Sequence, residues 1–376
     1  MNHTDVMAWV VSVCRGCLRK SQAKTLSVLV AAALVTQRVS LANLGRSVPG
    51  TTTAKHKIKR VDRFVGNQRV EVSDAVRGVW RYVLRRIRKG YKRKPLVVSF
   101  DWTDVRGLQT LMACVVIKGR SVPLLWASCS RNVWEGHKSR NSFEEALLLL
   151  LRALIPAEWK TPIILLADRG FGRTELGRFC QRYGFHYVIR IQPKVWIKSG
   201  SVKTRLDRYP VDRGQCFKLH DVLYRAGRDP LPQHVVLRWK QGLPKQRDEC
   251  WYLMTDLPQD ARTLSSLYGK RMEIEEFFRD LKNKRSGWAL RDTGLTDPQR
   301  LDRLLLILAL AYLFLVAWGL HAQKHYRLGR WCSNQRPDSL SVFRLGQMAY
   351  RDLRLQLPRL LALLLATAQS VMQKWG

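Results

Sequence analysis

LVVSFDWTDV, residues 96–105, decides how the chain is read. Leu96, Val97, Val98 and Phe100 make both faces of an extended segment apolar, the pattern of a strand covered on both sides. Asp101 stands where that run ends, with Asp104 three residues on. Working outward, LQTLMACVVIKG (108–119) and SVPLLWASCS (121–130) predict two more strands, antiparallel neighbours of the first. SFEEALLLLLRALI (142–155) has helical spacing with Ser142 as its cap. TPIILLADRGFG (161–172) is a second buried strand ending in Asp168, ELGRFCQRYG (175–184) a helix closed by Gly184, and FHYVIRIQ (185–192) a further strand. The order strand, strand, strand, helix, strand, helix, strand predicts an α/β core.

Upstream, residues 1–92 read as cationic helices. VMAWVVSVC and LSVLVAAALVTQ supply apolar faces, and the chain breaks at Pro49 and Gly50. Lys55, Lys57, Lys59, Arg60, Arg63 and Arg69 then interleave with Ile and Val, and GVWRYVLRRIRKGYKRK (78–94) repeats the texture. Such helices pack on one side and face phosphate on the other. Downstream of residue 193 the pattern loosens into short β-like pieces, DVLYRA, HVVLRWK and WYLMTDL. The texture divides the chain into 1–92 (helical, DNA-binding), 93–192 (strands and helices), 193–261 (β-rich), 262–325 (helical) and 326–376 (a helical tail suited to dimerisation).

Charge fixes the class of partner. Lys and Arg number 66 against 29 Asp and Glu, a formal charge of +37 over 376 residues. That excess repels itself unless a polyanion is bound, so nucleic acid is the expected partner. The eight cysteines are scattered, and Cys14 and Cys17 form one C-x-x-C with no second pair, so zinc is not expected. His321 and His325 are one helical turn apart without an evident third ligand. With no signal peptide, a reduced cytoplasmic setting is expected. Residues 304–320 (LLLILALAYLFLVAWGL) carry no charge, but the run is short for a bilayer and stands alone, so a buried core helix is expected and no membrane.

Asp101 and Asp168 both follow buried strands, where chemistry gathers in α/β sheets. Two carboxylates brought together there repel unless a cation joins them, and Mg²⁺ or Mn²⁺ with oxygen ligands is the economical one. A third carboxylate from a covering helix would complete a two-metal site for attack at phosphorus. Taken singly, an Asp after a strand is often a turn residue or a cap. YGKRMEIEEFFRDLK, residues 268–282, reads as helix throughout. Tyr268, Arg271, Glu275 and Lys282 fall within an arc of about 60°, with Leu267, Ile274 and Leu281 beside them as the packing face. The same stripe also suits a solvated face with an Arg271–Glu275 ion pair, worth a few tenths of a kcal/mol.

These four residues match the Y-(2)-R-(3)-E-(6)-K signature, and here the sequence resembles the DDE-type transposases of bacterial insertion sequences. The similarity is to the cut-and-paste, hairpin-forming branch, of the kind that mobilises a tetracycline-resistance composite transposon. FDWTDV and LLADRGFG resemble the family's two Asp-bearing strands, and GRSVPGTTTAKHKIKRVDRFVGN resembles its N-terminal region. The likeness runs from about residue 40 to 325. It implies an RNase H-like catalytic core in two parts, 93–192 and 262–325, with 193–261 a β-rich insertion between them. The likeness further implies two Mg²⁺ ions (Mn²⁺ as substitute) held by Asp101, Asp168 and Glu275. It also implies a homodimer acting on paired inverted-repeat ends and target DNA in the bacterial cytoplasm. Tyr268, Arg271 and Lys282 would grip phosphates beside a flipped base, Trp251 would stack on that base, and Met272 would wedge into the vacated stack. Asp104 competes with Asp101 as a ligand, and Asp101 matches the family's position. A non-catalytic sequence-specific DNA-binding protein and a nuclease without strand transfer are the alternative readings.

Overall fold

The computed structural model describes residues 3–85, 95–117, 119–135, 139–155, 162–227, 229–240, 249–332 and 340–352, with 362–363 and 366–367. Five helices come first: α1 (His3–Val13), α2 (Lys20–Val35), α3 (Leu41–Arg46), α4 (Ala54–Val65) and α5 (Val72–Arg85). On α4 the sequence period sorts the faces: Val61, Phe64 and Val65 are buried, while Lys55, Lys59, Arg60 and Arg63 are exposed and Lys57 is half-buried. Residues 86–94 of the expected basic helix lie outside the described residues.

The core follows the expected order: β1 (Leu96–Val105), β2 (Leu108–Ile117), β3 (Arg120–Ser130), α6 (Arg140–Leu154), β4 (Ile163–Ala167), α7 (Thr174–Arg182) and β5 (Phe185–Arg190). β1, β2 and β3 form an antiparallel meander, while β4 and β5 run parallel to β1. The β1–β2 hairpin turns on two residues with positive φ, Arg106 (53°) and Gly107 (85°), which matches the right-handed twist of its strands. Ser139, not the expected Ser142, caps α6: its hydroxyl accepts from the Asn141 amide at 3.1 Å, because the helix begins at Arg140.

The loose segment forms β6 (Trp196–Ser199), β7 (Val202–Arg205), β8 (Cys216–Tyr224), β9 (Leu231–Lys240) and β10 (Glu249–Thr255). β10 pairs with β5, so these strands continue the core sheet instead of standing apart. The result is one mixed ten-stranded sheet in the order β3-β2-β1-β4-β5-β10-β9-β8-β6-β7.

α8 (Ala261–Gly269), α9 (Met272–Lys282), α10 (Pro298–His325) and α11 (Val342–Asp352) complete the described elements. The apolar run lies in α10, and every residue in 304–320 except Ala309 is buried. α10 packs against β3, α2 and α11, so its apolarity is accounted for by protein contacts. At the crossing with α11, a Cβ on Gly319 would meet the Val342 carbonyl oxygen at 1.8 Å, and one on Gly346 the Leu315 oxygen at 1.8 Å. Only glycine lets these two backbones approach so closely.

Candidate active site

The register of β1 on β4 brings the first two carboxylates together. Phe100 lies opposite Ala167, so Asp101 and Asp168 are the next residues along the two parallel strands, about 4.8 Å apart by strand spacing. Asp168 follows the last residue of β4 as expected, but Asp101 does not end its strand: pairing of Asp101 with Met112 and onward to Val105 with Leu108 carries β1 four residues further. Asp101 Oδ1 accepts from the Trp102 amide at 2.8 Å, and Asp168 Oδ1 from the Gly170 amide at 2.8 Å, which holds both side chains in place. Burial pushes the Asp101 carboxyl up to about 7, and the negative charge of Asp168 pushes in the same direction. Asp104 lies on the opposite face by strand alternation, and its Oδ1 accepts from Gly107 N at 3.4 Å, at the hairpin turn.

The third carboxylate arrives from α9. Residues 268–282 are not one unbroken helix: α8 ends at Gly269, and the Lys270 and Arg271 amides turn back to the Leu267 and Tyr268 carbonyls (3.0 and 2.9 Å) before α9 begins at Met272. Glycine is a weak helix former, and the turn leaves Arg271 beside Asp101 of β1. Arg271 is buried and bridges the set: Nη1 donates to Asp101 Oδ2 at 3.3 Å and Nη2 to Glu275 Oε1 at 2.6 Å. Leu267, Ile274 and Leu281 are buried, as the helical spacing requires.

The donor set suits a divalent cation. Three carboxylates supply hard oxygen ligands, and the mutual repulsion that lifts Asp101 is the repulsion a bound cation relieves. Among the described residues, however, no three His, Cys, Asp or Glu side chains form a ready cage, and Arg271 occupies the space between Asp101 and Glu275.

The other expected contacts fall in three kinds of place. Tyr268 and Trp251 are buried, with rings edge to face at 5.0 Å, and the Trp251 indole N–H donates to Glu249 Oε2 at 3.0 Å. The expected open stacking surface is therefore covered by Tyr268 in this state. Met272 is 47 % exposed beside Arg271, whose Nη2 lies 3.2 Å from its sulfur. Lys282 Nζ donates to Thr103 Oγ1 at 2.8 Å, on the Asp101 face of β1, and burial lowers its pKa. Lys57, Arg60 and Arg63 of α4 line a groove of about 440 Å³ between α2 and α4, with Lys57 Nζ tied to the Gly50 carbonyl at 2.6 Å. Lys55 and Lys59 are exposed on the same helix.

The family model described as Transposase DDE domain matches residues 92–314. The chain belongs to this family. No curated protein matches it. The matched span takes in β1–β10, α6–α9 and most of α10, with Asp101, Asp168 and Glu275 inside it. A transposase domain implies DNA as substrate, which agrees with the charge of +37.

The transposase domain also holds a supporting ion pair that sequence reasoning missed. Glu144 of α6 is buried and accepts from the Trp102 indole N–H at 2.8 Å and from Arg173 Nη1 at 2.6 Å. It thereby pins the residue after Asp101 and the loop after Asp168 to a single carboxylate. The only signal available was a Glu on a helical face and an Arg in the segment DRGFGR, neither distinctive.

Proposed function

We propose that the chain is a DNA transposase of an insertion sequence that cuts and rejoins strands by metal-dependent phosphoryl transfer. One observation carries this: Asp101 within β1 and Asp168 just past β4 lie side by side on parallel strands, and Arg271 ties Glu275 to Asp101. The order β3-β2-β1-β4-β5, three antiparallel strands followed by two parallel to the first, supports an RNase H-like core.

In this reading Asp101, Asp168 and Glu275 hold two Mg²⁺ ions, which supply activation of water or a 3′-hydroxyl and stabilisation of the departing oxygen. Arg271 balances carboxylate charge while the site is closed and turns its guanidinium to a strand phosphate when DNA enters. Lys282, held by Thr103, meets a second phosphate. Tyr268 and Trp251 separate when a base is flipped between them, and Met272 fills the gap in the stack. Glu144 and Arg173 keep the two Asp-bearing segments in register. The cations of α4 (Lys55, Lys57, Lys59, Arg60 and Arg63) bind the inverted repeats, and two copies pair the ends in the bacterial cytoplasm. The reaction series is nick, hairpin, reopening and strand transfer.

The test supplies the protein with Mg²⁺, DNA carrying its element's ends and a target plasmid. Joined products are expected. Cut ends that never join would leave a nuclease, and bound but intact DNA would leave a non-catalytic binding protein.

A further inference from the structure

The sheet ends, far from the carboxylates, in a hairpin whose chemistry the catalytic reading does not use. Residues 176–206 contain seven Lys or Arg and no Asp or Glu. Within them, β6 and β7 pair Trp196 with Arg205 and Lys198 with Lys203, and β7 is the outermost strand of the sheet. Strand alternation puts these four side chains on one face and Ile197, which is fully buried, on the other.

Two features of that face are costly unless used. Lys198 and Lys203 are both exposed and directly opposite, and like charges across a strand pair destabilise it. Among the described residues no carboxylate pairs with either, whereas Arg205 is paired with Asp207. Lysine on an edge strand protects against sheet-to-sheet association, but an indole left 47 % exposed on the same face works against that protection. An aromatic face with flanking cations is the arrangement that takes unpaired nucleic acid, the ring stacking on a base and the charges meeting phosphates. Trp196 and Lys198 are two residues, about 6.6 Å, apart along β6, close enough for one strand to meet both. Six strand spacings separate β7 from β4, about 29 Å across the sheet, a span comparable to roughly nine base steps of a DNA strand.

We propose that the β6–β7 hairpin is a second DNA contact, at which Trp196 stacks on an unpaired base while Lys198 and Lys203 bind the adjoining phosphates. This rests on the transposase reading and adds a single-strand contact distant from the cutting site.

Binding of the full chain to labelled DNA is measured by fluorescence anisotropy without divalent metal, using a duplex with an unpaired stretch and the fully paired duplex. Trp196→Ala is expected to weaken binding of the gapped duplex tenfold or more and to leave the paired duplex near wild type. Trp196→Phe, which keeps a stacking ring, retains most of the affinity. Lys198→Glu with Lys203→Glu weakens both DNAs and lowers the salt slope by about two. Melting temperatures equal to wild type establish that each variant is folded. Gapped-duplex binding unchanged in Trp196→Ala, or a salt slope unchanged in the double variant, overturns the proposal. A wild-type chain that bound neither DNA would instead overturn the transposase reading itself.

Discussion

Two of the four acidic residues of helix α9, Glu275 and Asp280, have opposite fates. Asp280 is buried and fully engaged: Arg120 Nε donates to Oδ2 at 2.9 Å and the Tyr312 hydroxyl to the same oxygen at 2.9 Å. Glu275, five residues earlier, is 43 % exposed at its side chain and shares one guanidinium with Asp101. Burial outweighs the attraction of Arg120, so the Asp280 carboxyl still rises to about 6. The lesson is that a shifted carboxyl alone does not mark a site. What separates the two is satisfaction: Asp280 locks β3, α9 and α10 together, whereas the carboxylates around Arg271 have capacity left for a ligand.

The comparison can be broken first at its structural end. Arg120→Ala leaves Asp280 buried without its cation, and a loss of about 3–5 kcal/mol is expected in denaturant unfolding. A loss under about 1 kcal/mol would remove the structural role assigned here.

Asp302 offers a third case, a carboxylate outside the site and engaged at only one oxygen. It is half-buried on α10, Oδ2 accepts from the Ser128 amide at 3.2 Å, and the buried Oδ1 has no partner among the described residues. Burial raises its carboxyl to about 7. A folded value above the unfolded one, about 3.9, means its contribution to stability is complete below that lower value and lost as pH rises through 7. Asp302→Asn should therefore gain on wild type between pH 4 and 8, by up to a few kcal/mol at about 1.4 per unit. Parallel stability curves for the two proteins would contradict this.

Lys282→Ala removes the bond to Thr103 and the phosphate contact proposed for it. The expected outcome is a roughly tenfold slower hairpin step, with the first nick less affected, read from single-turnover gels. Equal slowing of both steps would assign Lys282 to general DNA affinity. The smallest effect is on folding: Glu275→Gln, half-exposed and sharing its cation, should change stability by less than about 1 kcal/mol. A cost like that of Arg120→Ala would make Glu275 structural too.

Much of this was legible in the chain. Apolar runs before Asp101 and Asp168 revealed the two strands, and residues 304–320 the buried helix, because burial on all sides leaves a composition that no surface element has. The end of β4 at Asp168 was legible too, whereas β1 runs on to Val105 because β2 pairs with its more polar half. The side-by-side placement of the two Asp residues needed the β1–β4 register, a long-range pairing that no local pattern encodes. The stripe on residues 268–282 was visible, but period alone does not separate a residue facing DNA from one facing a neighbour. Tyr268 is covered by Trp251, and that contact joins a strand to a helix seventeen residues on. The break at Lys270 follows Gly269, a single weak helix former inside an otherwise helical pattern. The cap of α6 moved from Ser142 to Ser139 because both precede an apolar run, and only the backbone decides between them.

The central claim is that Asp101, Asp168 and Glu275 act as one metal-requiring set. The most direct measurement is nicking of DNA bearing the element's ends, with Mg²⁺, by Asp101→Asn, Asp168→Asn and Glu275→Gln, each first shown to bind that DNA as wild type does. All three are expected to bind and none to nick, with wild-type nicking abolished by chelation of the metal. A variant that binds and cuts at the wild-type rate would contradict the assignment.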